Sequence, residues 1–184
     1  MEKLDLTYHP LTPKRWDDFE QLFGVRGACA GCWCMYWRLE HATFEAQAGE
    51  MNRFHMKGIV LSGEIPGLLA YLGEEPVGWC AIAPRQAYPR LAKSRILKPV
   101  DDQPVWSIVC FFVARSHRRQ GVTQGLISAA VEFARQGGAK IVEAYPVEPK
   151  ARNAPPVFIY TGIASAFTKA GFTEAARNSK DRPI

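Results

Sequence analysis

The stretch VWSIVCFFVARSHRRQGVTQGLISAAVEFARQGG, residues 105–138, decides the fold, because its periodicity changes partway along. Residues 105–113 are an unbroken apolar run of strand length, rich in β-branched and aromatic side chains. They predict a central strand buried on both faces. After residue 123 the pattern turns helical, with Leu126, Ile127, Ala130, Val131, Phe133 and Ala134 on one face and Gly137-Gly138 as the stop. Between the two lie Arg115, His117, Arg118 and Arg119, and then Gly121 at the helix start. A helix N-terminus points unpaired N–H groups and a positive dipole end outward, and glycine there admits close backbone approach. The turn is therefore either a phosphate site or an ordinary strand-to-helix connection. Neither GxxxxGK[ST] nor GxGxxG occurs, so neither usual nucleotide loop applies.

Working outward, residues 4–8 alternate as a strand, and Thr12-Pro13 opens a helix carrying Trp16, Phe19 and Phe23. Residues 50–61 read as a second helix. Residues 67–72 and 76–83 form an antiparallel hairpin around Gly73-Glu74-Glu75. On the far side, 140–145 reads as a strand, 159–170 as a helix capped by Gly171, and 172–176 as a last strand. The order β-α-α-β-β-β-α-β-α-β, in 184 residues of which 47% are apolar, predicts a single α/β domain over residues 1–184. An irregular basic insertion at 84–104 carries Arg85, Arg90, Lys93, Arg95 and Lys98. It reads as a solvated loop in preference to a nucleic-acid surface, because no nucleic-acid module accompanies it.

No run of about 18 apolar residues is present, and charges sit where a signal peptide has its apolar core, which reads as a cytoplasmic protein without a membrane span. The net charge of +5 suggests an anionic partner. Five cysteines in a reducing compartment are free thiols or metal ligands rather than a disulfide framework. Three of them fall in GACAGCWCMYWR, residues 27–38. Cys29, Cys32 and Cys34 lack a fourth ligand in zinc-site spacing, so no metal is expected. The segment reads as an apolar and aromatic wall.

Val113, Arg118 and Gly121 match the spacing V-x(4)-[RQ]-x-x-G-x-[GA], with Thr123 where glycine or alanine is usual, and Phe167 to Phe172 ends in Gly171-Phe172. On these two motifs the chain resembles the GNAT superfamily of acetyl-CoA-dependent N-acetyltransferases. The resemblance implies a mixed central sheet with helices on both faces, whose parallel strands 105–113 and 140–145 splay apart at their C-terminal ends. Acetyl-CoA is then the co-substrate. The peptide groups of Phe111, Phe112 and Val113 would face the pantetheine arm, and the amides of Arg118, Arg119, Gln120, Gly121, Val122 and Thr123 the pyrophosphate. The implied partner is a primary amine of a small molecule or peptide. A homodimer is compatible with this reading, and the alternative is a CoA-binding regulatory module with little or no transfer.

Attack by an amine of pKa about 10 calls for a nearby base. Glu143 on strand 140–145 is the candidate, against the plain reading of a salt-bridged strand carboxylate; His41, His55 and His117 are weaker. Where the family usually has an acidic tyrosine, this chain has Phe167. Tyr160, two helical turns earlier in the expected helix, could contact the cofactor or donate the proton. Trp33, Cys34, Tyr36, Trp37 and Tyr145 are expected to line the acceptor pocket.

Overall fold

The computed structural model describes residues 4–151 and 154–184. The main sheet has the order β1 (Leu6–Pro10), β2 (Gly67–Leu72), β3 (Glu75–Pro84), β4 (Trp106–Val113), β5 (Val142–Ala144). The first four pair antiparallel and β5 joins β4 in parallel. A separate antiparallel hairpin, β6 (Arg177–Ser179) and β7 (Arg182–Pro183), lies at the C-terminus. The helices are α1 (Trp16–Phe23), α2 (His41–Ala46), α3 (Glu50–Leu61), α4 (Pro89–Ala92), α5 (Val122–Gln136) and α6 (Ala164–Lys169). Among the described residues no helix is long and apolar enough to cross a membrane.

The sheet separates two apolar layers. On one face Phe19, Phe23, Trp33 and Trp79 interlock, with the Phe19 and Trp79 rings 4.9 Å apart and nearly perpendicular. On the other, α5 lays Val122, Leu126, Ile127, Ala130 and Ala134 against Ala70, Cys80, Ile82 and Ile108. Gly78 admits the helix at close range: a Cβ there would lie 2.7 Å from a Val122 methyl and 3.1 Å from one of Leu126. Such burial on both faces is why 105–113 reads as a continuous apolar run, and the mixed α/β architecture expected from the sequence is the one observed.

Three elements depart from the sequence reading near the C-terminus. The strand expected over 140–145 is cut to Val142–Ala144, since Pro146 cannot donate to a ladder. The helix expected over 159–170 begins only at Ala164. Pro155 and Pro156 open a 3-10 turn over Pro156–Phe158, Gly162 takes φ +90°, and Ile163 is extended. Residues 172–176 are not a strand of the main sheet. They meet the C-terminus instead, Ala175 N–H donating to the Ile184 carbonyl at 2.8 Å and Ile184 N–H to that of Ala176 at 2.8 Å. Between the outer edge of β5 and these residues lies a cleft of about 290 Å³, bordered by Ile141, Ala144, Phe167 and Ile184.

Two glycines give the packing a direct test. A Cβ on Gly67 would collide with the Cys80 carbonyl and come within 2.7 Å of the Trp79 ring, whereas one on Gly58, in the exposed face of α3, meets nothing within 4 Å. Gly67→Ala is expected to destabilise by about 1–3 kcal/mol, and Gly58→Ala to stabilise by about 0.5–1 kcal/mol through helix propensity. Urea unfolding midpoints at unchanged m-value check both.

Candidate functional site

The site begins where β4 loses a neighbour. Pairing with β5 runs from Trp106↔Val142 to Ile108↔Ala144 and stops, while β4 continues to Val113 alongside β3. At the same point the β3 register jumps from Ile82↔Ile108 to Ala81↔Cys110, so Val109 is bulged out. Beyond it the free edge of β4 turns to the residues that follow β5. The Phe111 N–H, expected to face pantetheine, donates to the Tyr160 carbonyl at 2.6 Å. Tyr160 to Ile163 is held from the other side as well, by Val147 N–H on the Gly162 carbonyl at 2.9 Å and Ala164 N–H on that of Val147 at 3.0 Å. The gap between the strands is thus bridged by the chain itself.

Tyr160 and Phe167 do not share a helix face, because Tyr160 precedes the helix. Phe167 is buried beside Phe111 and Phe172, with centroids at 6.0 and 5.1 Å, and a Cβ on Gly162 would lie 2.6 Å from its ring. Phenylalanine is therefore a packing residue at this position. The Tyr160 ring turns to the opposite layer and meets Tyr36 edge-on at 6.0 Å. Burial, followed by the neighbouring Tyr36 and Cys110, pushes the Tyr160 hydroxyl well above the ordinary tyrosine range, so it keeps its proton. The hydroxyl of neighbouring Thr161, fully buried, has no partner among the described residues.

At the end of β4 the chain makes a 3-10 turn, Arg115–His117, before α5. Arg119 at φ +63° and Gly121 at φ +85° bracket Gln120 in left-handed backbone. Arg118 Nε holds the Val113 carbonyl at 3.0 Å, and Gln120 Nε2 that of Ser116 at 2.8 Å. Gly125 N–H makes the first helical bond of α5, to the Gly121 carbonyl, so the N–H groups of Val122, Thr123 and Gln124 have no carbonyl within the helix. Residues 118–121 are exposed, and a Cβ on Gly121 would stand in open space. This geometry fits a phosphate group.

Glu143 sits in a closed network. Its carboxylate pairs with Arg85 Nη1 at 2.6 Å and accepts the Tyr145 hydroxyl at 2.6 Å. Arg85 also donates to the Tyr145 oxygen at 2.5 Å and, through Nη2, to the Leu97 carbonyl at 2.6 Å, while Ser107 Oγ lies 2.8 Å from the Tyr145 hydroxyl. With side chains only 12% and 10% exposed, Arg85 and Glu143 clamp the 84–104 insertion to β5. The salt-bridged reading describes Glu143 here, and Tyr145, fully buried, belongs to the clamp rather than to an acceptor pocket. Taking up a proton at Glu143 would break the ion pair.

The cysteine-rich segment is a chain of turns. Gly27, Ala28, Ala30, Gly31, Trp33 and Cys34 all take positive φ. It is pinned to α3 by Gly49 N–H and Asn52 Nδ2, both donating to the Gly31 carbonyl at 2.9 and 3.1 Å. Its three thiols lie at different depths: Cys29 is exposed, Cys32 half-buried and Cys34 buried. Cys34 Sγ accepts Trp79 Nε1 at 3.1 Å. A hydrogen bond from Cys110, then that of Trp79, lowers the Cys34 thiol below its ordinary range, and the same bond raises Cys110. Burial pushes Cys32 up to about 12. No group of three or more His, Cys, Asp or Glu among the described residues is placed to hold a metal. Trp33, Cys34 and Trp37 face the core, and Tyr36 is the one of the five expected pocket residues that is not buried.

Around Tyr36 and Tyr160 gather residues the sequence did not single out. Cys110, one residue past the bulge, and Arg182 on β7 both bear on the Tyr160 hydroxyl. Arg90, noted only as part of a basic stretch, lies with its guanidinium carbon 3.8 Å from the Tyr36 ring centre and Nη1 3.4 Å from the Tyr36 carbonyl. Nothing local in KDRPI marks Arg182. It is brought here by the return of the C-terminal hairpin, where Asn178 Nδ2 donates to the Ile96 carbonyl at 3.3 Å.

The fold has solved counterparts. An aminoglycoside N-acetyltransferase AAC(6')-Iy in complex with CoA superposes with a TM-score of 0.55 at 16% identity, covering 94% of this chain and 90% of that one. An aminoglycoside acetyltransferase, HMB0005, from an uncultured soil metagenomic sample gives 0.53 at 20% identity, over 98% and 99%. The 6'-N-acetyltransferase AAC(6')-Ih of Acinetobacter baumannii gives 0.50 at 17%, over 94% and 93%. No curated protein matches the chain significantly. The model of the acetyltransferase (GNAT) family matches residues 26–157, most of the chain and all of the bulged strand and the glycine turn, and the chain therefore belongs to the GNAT acetyltransferase family.

Proposed function

We propose that the protein moves acetyl from acetyl-CoA to a primary amine of a small molecule or peptide by direct attack. The observation that carries this reading is the parting of β4 from β5 at Ile108 and Ala144, beside a helix start whose N–H groups and open Gly121 fit a phosphate. The orphan Thr161 hydroxyl near the same edge supports a ligand there. When bound, acetyl-CoA supplies an acetyl group already activated as a thioester. The protein's part is to place it and to offer backbone donors where negative charge develops. The loop 118–123 holds the diphosphate end, and the edge at Phe111 and Val113 holds the pantetheine arm. Loading exchanges the Tyr160 carbonyl on Phe111 N–H for a ligand acceptor, so the segment around Tyr160 shifts. The aminoglycoside specificity of the structural neighbours does not carry over at 16–20% identity.

No side chain placed at the Tyr36–Tyr160 cluster serves as a base. Glu143 is locked to Arg85, and the Tyr160 hydroxyl holds its proton. The amine then enters as its own neutral fraction, and the departing CoA thiolate needs no dedicated acid.

Isothermal titration is expected to show acetyl-CoA binding in the micromolar range or tighter. Gly121→Val, a β-branched residue forced to φ +85°, should weaken it by about tenfold or more. An amine panel should release free CoA. Binding without release by any amine would favour the regulatory module, and no binding would remove the reading.

The pH profile separates the roles of Glu143. Deprotonation of the amine raises the reactive fraction, so kcat/KM should climb about tenfold per pH unit up to the amine's own pKa near 10. Glu143→Gln should leave that slope intact while costing about 1–3 kcal/mol of stability through the clamp. A flattened slope with kcat down about 10²-fold or more would make Glu143 the base after all.

A further inference from the structure

Among the described residues, the arginines around the Tyr36–Tyr160 pair lack the carboxylate partner that four other arginines of the chain have. Arg38 pairs with Glu64 at 2.7 Å, Arg53 with Glu20 at 2.6 Å, Arg85 with Glu143 at 2.6 Å, and Arg177 with both Glu148 and Glu174. Arg182 has no carboxylate within ion-pair distance among the described residues, and its Nε is buried without a hydrogen-bond partner. The hairpin that carries it packs Ala176 and Ile184 into the same apolar layer as Tyr36 and Tyr160; burial lowers the Arg182 guanidinium below its ordinary range, and the Tyr160 and Tyr36 hydroxyls act against that. Arg90, on the other flank of Tyr36, likewise meets a ring and a carbonyl rather than a carboxylate. A guanidinium Nε withdrawn from water without a partner is costly, and a planar fork of donors matches the two oxygens of a carboxylate. The acidic residues nearby are already engaged, Glu143 with Arg85, Glu148 with Arg177 and Glu40 with Lys93. A polycationic acceptor would meet the Arg90 guanidinium on the Tyr36 ring, and these three carboxylates are already paired.

We propose that the acceptor is an amine that also carries a carboxylate, an amino acid or a peptide-like amino acid derivative, and that Arg182 binds this carboxylate with Arg90 alongside and Tyr36 and Tyr160 against its apolar part. This rests on the acetyl-transfer reading and adds the substrate class. Arg182 is a specificity residue: it anchors the acceptor away from the reacting atoms.

The test uses matched acceptors on the intact protein. CoA release is measured with L-phenylalanine, L-phenylalaninamide, 2-phenylethylamine and spermidine, for wild type, Arg182→Gln and Arg182→Lys. In parallel, calorimetry measures binding of N-acetyl-L-phenylalanine and its amide to the CoA-loaded protein, which needs no turnover. The expected result is a preference for the carboxylate over its amide of about tenfold or more in kcat/KM and in product affinity. Arg182→Gln should abolish that preference and Arg182→Lys restore it in part, with CoA affinity within about twofold of wild type throughout. Equal or better handling of the amide, the simple amine or spermidine would overturn the proposal. So would a loss of CoA affinity in Arg182→Gln, which would assign the arginine to a cofactor phosphate. If no acceptor is turned over but N-acetyl-L-phenylalanine binds through Arg182, the anion site stands and the transferase reading falls. If the carboxylate neither binds nor reacts while other amines do, the transferase stands and the anion site falls.

Discussion

The peptide groups on one edge of β4 must find partners after β5 has ended. A buried backbone donor cannot be left unpaired without a cost of the order of a lost hydrogen bond, about 1–3 kcal/mol. Here β4 stays joined to β3 up to Gly78↔Val113 while its other edge opens after Ile108. The Tyr160 carbonyl closes the gap on Phe111 N–H. That bond acts with those of Val147 to the Gly162 carbonyl and Ala164 to the Val147 carbonyl to hold Tyr160 to Ile163 ahead of α6, where Phe167 is buried beside Phe111 and Phe172. The same strand ends in the turn that opens α5, so the open edge and the phosphate-fitting loop belong to one continuous piece of chain.

Charge is distributed to the same end. Two carboxylates that border the cleft beside β5 are tied into clamps: Glu143 fastens the insertion to β5 through Arg85, and Glu148 fastens the C-terminal hairpin through Arg177, bonded at 2.8 Å to both carboxylate oxygens. The basic insertion, legible only as a charged loop, thereby acquires a structural function through Arg85 and a place beside Tyr36 through Arg90. Its sequence gives no sign of either, because both depend on partners 54 to 60 residues away.

The bulged strand, the helix opening at Gly121 and the hairpin were legible because each is a local pattern of apolar period and turn residues, and Glu50–Leu61 coincides with the helix read from the sequence. The C-terminal third was harder. The apolar period from 159 to 170 is helical, yet Gly162 and the two prolines before it break the first turns, and the bond from Phe111 to Tyr160 holds the backbone there in a turn that leads to the single bridge of Ile163 to Val147. The wall of GACAGCWCMYWR was correctly apolar but its direction was not readable. Left-handed turns at Ala28, Ala30, Trp33 and Cys34 fold the tryptophans inward onto Phe23 and Trp79 and leave Tyr36 half-buried beside Tyr160. Arg182 was invisible for a simpler reason: its partners, Tyr36 and Tyr160, are far from it in sequence.

The central claim is that the β4 edge at Phe111 and Val113 is the cofactor's docking strand. A crystal structure of the protein with acetyl-CoA measures it most directly. The account predicts the pantetheine arm lying between β4 and the residues after β5, an acceptor atom of the ligand on Phe111 N–H in place of the Tyr160 carbonyl, and the diphosphate on the amides of residues 118–123. Acetyl-CoA bound elsewhere with the Phe111–Tyr160 bond intact, for instance in the cleft on the outer edge of β5, would contradict it.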